Sequence, residues 1–280
     1  MEQNLLYHFI PALDAFSNAP TSRTLHNPLA LQHLDLLVTY IKTTYASTKQ
    51  RFDSLECSGE ITYDMLWALF EPNDLVYGKC LGTEKPRCIK FDFGEERTSH
   101  EGEEFFRIEG RYVDHNGKGF GEAVTAVPIW KFQGSKPIHS LEYFPLKYHP
   151  DAENEKRKLT KRGWKFAFLK GKHHQQYKGN AFYMDNGQPI KMFVDGRIMI
   201  DATLFQEYNP NYSKPSIDEL QRRQFSSGIW IQFDDPPEKK LDKVKSNNMK
   251  DLPNEHFLIC SPTVQGFSLG KKCWCKSHIS

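Results

Sequence analysis

The sequence predicts an α+β fold: an antiparallel, meander-rich sheet or partial barrel, with an N-terminal helical segment and one or two further helices packed on it. Three observations carry that expectation. In Glu104–His115, Phe106, Ile108 and Tyr112 fall on one face and Arg107, Glu109 and Arg111 on the other; a period of two is the mark of a half-buried strand. Asp114-His115-Asn116-Gly117 follows, and Asn-Gly accepts the positive φ of a tight hairpin turn. Leu34, Leu37, Ile41 and Tyr45 recur at spacings of three and four, which is the apolar stripe of an amphipathic helix.

The elements follow in chain order. Residues 1–26 hold a short apolar segment and a turn-rich run. Asn27-Pro28 reads as a helix start, with Asn as cap and Pro in the first turn, and the helix runs from Leu29 to about Phe52. A second helix covers Thr62 to Phe70, faces inward with Met65, Leu66 and Leu69, and stops at Pro72. Asp74–Lys79 and Cys88–Phe93 read as short strands. Thr98–Glu104 is a charged loop before the meander, whose second arm is Phe120–Phe132 and whose third run is Ile138–Leu146.

Asp151–Gly171 is helical in composition. Strands at Asn180–Met184 and Pro189–Val194 meet at Asp185-Asn186-Gly187. Alternation continues to Ala202, so Asp195-Gly196 marks either a bulge or a second turn. Asn209–Gln224 reads as loop and short helix, and Ser226–Phe233 as a strand. The chain divides into an N-terminal helical segment (1–72), a β-rich domain (73–233), and a charged linker with a C-terminal tail (234–280).

Bulk properties narrow the function classes. The chain has 280 residues, 13% of them aromatic, and a formal charge of +2, so global charge selects no partner. No run of about 18 apolar residues exists, and no membrane span is expected. The first residues lack a basic region and carry Pro11 and Asp14, unlike a secretory leader. Six scattered cysteines form no disulfide framework, which points to a reducing compartment, cytoplasmic or nuclear.

Few motifs rise above background. Gly266-Phe-Ser268-Leu-Gly270 fits a nucleophile elbow, yet only His278 and no carboxylate follows it, so an ordinary Gly-Ser turn is the better reading. Gly266 to Lys272 imitates a phosphate loop but has three residues between its glycines and no hydroxyl after the lysine. Hydrolysis of ATP by this chain is therefore not expected, and no cofactor is implied. Cys260, Cys273, Cys275 and His278 are imaginable zinc ligands, but one residue between Cys273 and Cys275 is too few to wrap a metal. Asp185, Asp195 and Asp201 flank strands and turns, where aspartate is ordinary.

The sharpest local feature is Lys156–His174. Between Asp151 and Lys178 there are nine Lys/Arg and three Asp/Glu, a difference of +6. Lys161, Arg162, Lys165 and Lys170 interleave with Trp164, Phe166 and Phe168. Cations beside rings suit phosphate backbones and stacked bases. The plainer reading is a solvated helix face whose aromatics point into the core. Lys161, Arg162, Trp164, Lys165 and Lys170 are thus the candidate nucleic-acid contacts, and the catalytic and metal sets are empty.

A series of landmarks carries a resemblance. It comprises Ile61–Phe70 with Pro72, Tyr112–Gly117, Phe120-Gly121, Ile129–Phe132, Phe144–His149, Arg162-Gly163, Tyr177-Lys-Gly179, Gly196–Asp201, Cys260-Ser-Pro and Gly266–Leu269. In order and number, from about Leu25 to Trp274, they resemble the N-terminal domain that precedes the motor in a group of fungal AAA-type ATPases. The resemblance implies a non-catalytic domain that engages a protein partner or substrate. The motor's phosphate loop, acidic magnesium-site residues and arginine finger have no counterparts here.

Overall fold

The computed structural model describes residues 3–18, 28–185, 188–211 and 254–279. The fold is α+β with antiparallel sheets, one of them closed into a ring. The helices are α1 (Gln3–Asn18), α2 (Pro28–Thr44), α3 (Ala46–Cys57), α4 (Leu66–Leu69), α5 (Ala152–Phe168), α6 (Ala202–Tyr208) and α7 (Asn254–Leu258). The strands are β1 (Glu60–Thr62), β2 (Leu75–Lys79), β3 (Pro86–Thr98), β4 (Glu104–His115), β5 (Phe120–Trp130), β6 (Ser135–Pro137), β7 (Tyr143–Pro145), β8 (His173–Asp185), β9 (Gln188–Ile200), β10 (Thr263–Ser268) and β11 (Cys273–His278). A five-stranded sheet has the order β5-β4-β3-β2-β7, β1 pairs with β6, and β10-β11-β8-β9 form the ring.

The chain divides into two compact units. Unit 1 comprises 1–74, 91–108 and 127–148, and unit 2 comprises 75–90, 109–126 and 149–280. Unit 1 is organised on Phe70, whose ring stacks between Phe91 (5.5 Å, 27°) and Phe106 (6.0 Å, 17°). Ile61, Leu66, Leu69 and Ile138 are buried with it. Each such side chain stabilises by roughly 1.5–3 kcal/mol when taken fully out of water. Trp67 meets Tyr7 of α1 edge-on and Tyr45 at a tilt of 57°.

Unit 2 holds the ring. The β8–β9 ladder is one-to-one from His173↔Ile200 to Asp185↔Gln188, with Gly196 opposite Tyr177. Asp195-Gly196 is therefore neither a bulge nor a turn, and a single long strand runs through it. β10 pairs with β9, and β11 pairs with β8. Alternate positions of Ala181, Val194, Ile198, Ile200, Ser268 and Cys275 are buried.

Several expectations need correction. The apolar N-terminal segment is a helix that contains Pro11. The single helix from Leu29 to Phe52 is two, interrupted at Tyr45. On α2, Val38 and Ile41 face inward while Leu37 is 40% exposed. The second helix begins as a 3-10 turn over Tyr63–Met65. Arg111, expected on the solvent face of β4, is buried. From Gly110 to His115 both faces of β4 are covered, with Arg111, Val113 and His115 buried on one and Gly110 and Asp114 on the other; in the sheet plane Val113 donates to the Ile259 carbonyl at 2.9 Å and accepts from the Ser261 N–H at 2.8 Å. The supposed C-terminal tail is strand and core, with Ile259, Cys260, Cys275 and Ile279 all buried. The expected Asn27 cap, the Asn186-Gly187 turn, the helix before Gln224, the Ser226–Phe233 strand and the charged linker lie outside the described residues.

Gly163 in the middle of α5 would ordinarily weaken a helix by about 1 kcal/mol relative to alanine. Here an ideal Cβ at Gly163 would sit 2.1 Å from the Phe257 carbonyl oxygen, so glycine permits α7 to touch the helix backbone. Gly163→Ala is therefore expected to destabilise by about 1–3 kcal/mol, as overpacking does. Urea unfolding followed through Trp164, which stacks on Phe257 at 4.1 Å, reads the sign. Stabilisation by the extra methyl would show that the contact is not what the glycine serves.

Candidate functional site

The basic-aromatic stretch lies mostly on α5, and the helical period scatters it. Lys161 and Lys165, four residues apart, are exposed. Arg162 turns inward and donates from Nη1 to the Pro86 carbonyl. Trp164 lies flat on Phe257, with 14° between the rings. Lys170, beyond the helix end, holds its Nζ 5.9 Å from the Phe120 ring centroid. The five candidate nucleic-acid contacts thus do not form one surface. Arg162, Trp164 and Lys170 take part in packing, and Lys165 lines a larger cavity on the ring.

The other motif residues are placed by the ring. Ser268 is fully buried at the end of β10, and its hydroxyl accepts from the Lys271 N–H at 3.3 Å. A strand follows it, not a helix, so no nucleophile elbow is present. Burial pushes the thiols of Cys260, Cys273 and Cys275 above their ordinary value. Among the described residues no three His, Cys, Asp or Glu side chains are placed to hold a metal. Asp201 caps α6 by accepting from the Leu204 N–H at 3.0 Å. Asp195 pairs with Lys178 across the ladder at 3.0 Å.

Two buried polar groups stand at the end of β4. Arg111 Nε donates to Glu122 Oε1 at 3.2 Å, with both side chains under 10% exposed, and His256 Nε2 lies 4.0 Å from the same oxygen. Asp114 is buried 3.8 Å from the Lys276 ammonium. Burial raises the Asp114 carboxyl, and Lys276 and the His115 N–H only partly offset it. His115 stands edge-on to Phe120, and its Nδ1 accepts from the Gly117 N–H at 3.0 Å. That bond places the ring proton on Nε2. The void beside Asp114 and His115 measures about 20 Å³, room for one water but not for a ligand.

Two larger cavities open on the ring. One of about 390 Å³ is lined by Lys165, Phe168, Gln175, Tyr177, Lys178 and His278, among others. The other, of about 450 Å³, shares Tyr177, Lys178 and His278 and adds Thr83, Lys85, Asn180 and Phe193. The turn before β3 supplies Thr83 and Lys85, β8 supplies Tyr177 to Asn180, and β11 supplies His278. Sequence reasoning missed this set because its members come from four segments, the turn before β3, β8, β9 and β11, each unremarkable alone. In the sequence Tyr177 stands out only within the Tyr177-Lys-Gly179 landmark. Thr83 is buried, and its hydroxyl finds nothing stronger than the Cys80 thiol. Burial raises that thiol, but hydrogen bonds from Thr83 and the Arg87 guanidinium outweigh it and leave Cys80 below the ordinary value.

The fold defines an α+β protein of two units with a small closed ring and a cationic cavity. Residues 51–150 match a family model described as Domain of unknown function (DUF7025). No curated protein and no solved structure matches the chain.

His115 makes stability depend on pH. Burial, then the Lys170 ammonium, push its pKa from 6.5 down to about 4. The unfolded imidazole therefore binds a proton between those values that the folded one refuses, so stability falls as pH drops from 6.5 to about 4. Asp114 acts in the opposite sense: its raised carboxyl keeps a proton that the unfolded one loses, and this share fades as pH rises above 3.8. Unfolding free energy measured between pH 7 and 4 is expected to decline in the parent protein. His115→Asn, which keeps an acceptor for Gly117, is expected to decline less steeply. Equal slopes would remove His115 from the account.

Proposed function

We propose that the chain is a non-catalytic, partner-binding module similar to the N-terminal domain of fungal AAA-type ATPases. The observation that supports this reading most is on α2. Leu29, Leu36 and Tyr40 follow one another at spacings of seven and four, on a single line of the helix, and are 55%, 68% and 62% exposed. A helix normally turns such a line toward a core. α2 already buries Val38 and Ile41, so Leu36 and Tyr40 belong to a second, solvent-facing apolar stripe. Phe16 of α1 is also exposed.

Apart from the stripe, α1, α2 and α3 enclose a groove of about 900 Å³ lined by Tyr7, Ile10, Pro11, Tyr45 and Ala46, with the Lys42–Asp14 and Lys49–Asp53 pairs among its lining residues. Apolar centres rimmed by charge are what protein interfaces are built from. An amphipathic helix of a partner, anchored at positions three and four apart, fits such a surface. The resemblance to the motor-associated domain points the same way, toward a domain that grips while another segment supplies the energy.

A photo-crosslinking residue in place of Tyr40 is expected to capture a discrete protein from cells, and Leu36→Glu with Leu29→Glu to abolish capture. Because these side chains stand in solvent, the double variant should keep its stability within about 0.5 kcal/mol per site. Capture that survives the double variant would place the interface elsewhere. Magnesium-dependent ATP hydrolysis by the purified chain, above background, would overturn the non-catalytic reading itself.

A further inference from the structure

The cavity of about 450 Å³ in unit 2 is built for an anion. Lys85 and Lys178 stand at its rim and His278 in its wall, and no carboxylate is among its lining residues. Two carboxylates lie near. Asp195 engages Lys178 in an exposed pair at 3.0 Å, and Glu84 is engaged by Lys191. Exposed pairs of this kind hold little energy, so an anion with several oxygens displaces Asp195 readily. Behind the wall stands Arg162, a half-buried guanidinium whose Nε and Nη2 have no hydrogen-bond partner. Its charge and that of Lys85 act on His278, after burial, to push that imidazole down to about 4. The cavity therefore feels two ammonium groups, one of them paired with Asp195, and a guanidinium whose charge reaches it at His278.

The buried Thr83 hydroxyl, held by nothing stronger than the Cys80 thiol, lines the same space and can turn its O–H to an anion there. Above it, the Phe193 ring is 53% exposed on β9 and lines the cavity without being covered. Tyr177 also lines the cavity, its hydroxyl fixed by donating to the Asn180 carbonyl at 2.6 Å and accepting from the His278 N–H at 3.1 Å. Cations at one end and an uncovered ring at the other are complementary to a phosphate joined to a flat heterocycle. The volume suits one such unit.

We propose that this cavity binds a nucleotide through its terminal phosphate monoester, with Lys85, Lys178 and Thr83 on the phosphate and Phe193 under the base. The site lies wholly in unit 2 and is independent of the partner-binding stripe on α2. The phosphate can belong to a free mononucleotide or to the 5′ end of a single strand. In either case the bound anion lies against His278 and favours its protonated form.

Isothermal titration of the full chain at low salt tests this with AMP, adenosine, inorganic phosphate, and a dinucleotide with and without a 5′ phosphate. AMP is expected to bind at least about tenfold tighter than adenosine. Phe193→Ala should cost AMP about tenfold while leaving inorganic phosphate unchanged. Lys85→Glu with Lys178→Glu, both exposed, should abolish binding of every phosphorylated probe without loss of fold. In NMR titrations, saturating AMP is expected to lift the His278 pKa from about 4 toward its ordinary 6.5. Preference for the 5′-phosphorylated dinucleotide over AMP would support the site and assign the strand end as its source; the reverse would support it and assign the free nucleotide. Binding of adenosine equal to AMP, an unmoved His278, AMP affinity unaltered in the double-lysine variant, or no binding by any probe overturns the proposal.

Discussion

The ring in unit 2 depends on one constraint: the two edges of the β8–β9 hairpin must both be covered. A thirteen-residue ladder leaves a row of unpaired N–H and C=O groups along each outer side, and open edges invite pairing with other chains. The β10–β11 hairpin fills both at once, with Gly266 opposite Ile200 on one side and Lys276 opposite Phe182 on the other. Closure on four strands forces close approach. An ideal Cβ at Gly266 would lie 2.7 Å from the Met199 carbonyl oxygen, so the glycine that imitates a nucleophile elbow is there to let β9 pass. Closure also fixes the cavity, because His278 and Tyr177 face one another only where β11 has docked on β8.

The same geometry explains what the sequence reveals and what it hides. Strand β4 is legible because half of it is one-sided: Phe106 and Ile108 alternate with solvent-facing charge. Beyond Gly110 the pattern breaks because both faces are covered, and there Arg111 is buried on the same face as Val113. The β10–β11 hairpin is harder still. A four-stranded ring has almost no interior volume, so its inward positions are Ser268, Cys275 and Ser277, each at most 1% exposed. Small polar residues at alternate positions carry no hydrophobic signal, and the segment reads as a tail. α1 is masked by Pro11, which a helix of this length tolerates at a local cost.

The cationic stretch shows the limit of reading charge along a chain. Nine basic residues between 151 and 178 suggest one patch, but α5 turns through 100° per residue and distributes them. Arg162 is spent on the Pro86 carbonyl and Trp164 on Phe257. The concentration of positive charge that does exist is assembled from Lys85 in the turn before β3 and Lys178 on β8, with Arg162 acting on His278. Of the nine, only Lys178 and Arg162 contribute to it. Proximity in sequence is a poor guide wherever a ring brings the chain ends of distant hairpins together.

The buried charges of unit 2 add a further constraint on the same sheet. Arg111 and Glu122 lie on strands joined by a short connection, and their pairing at 3.2 Å is sealed from water. Such a pair adds little net stability, since desolvation of two ions offsets most of their attraction. Its effect on alternatives is larger. A slip of β4 against β5 by one residue would turn every side chain to the opposite face, leaving one or both of these ions buried without the other. An uncompensated buried charge costs about 3–5 kcal/mol, comparable with much of a domain's total stability. Hydrophobic alternation, which fixes register in the half of β4 that holds Phe106 and Ile108, fails where both faces are covered. The ion pair supplies the missing discrimination in that half of the strand, where the polar groups of Asp114 and His115 must also find their places.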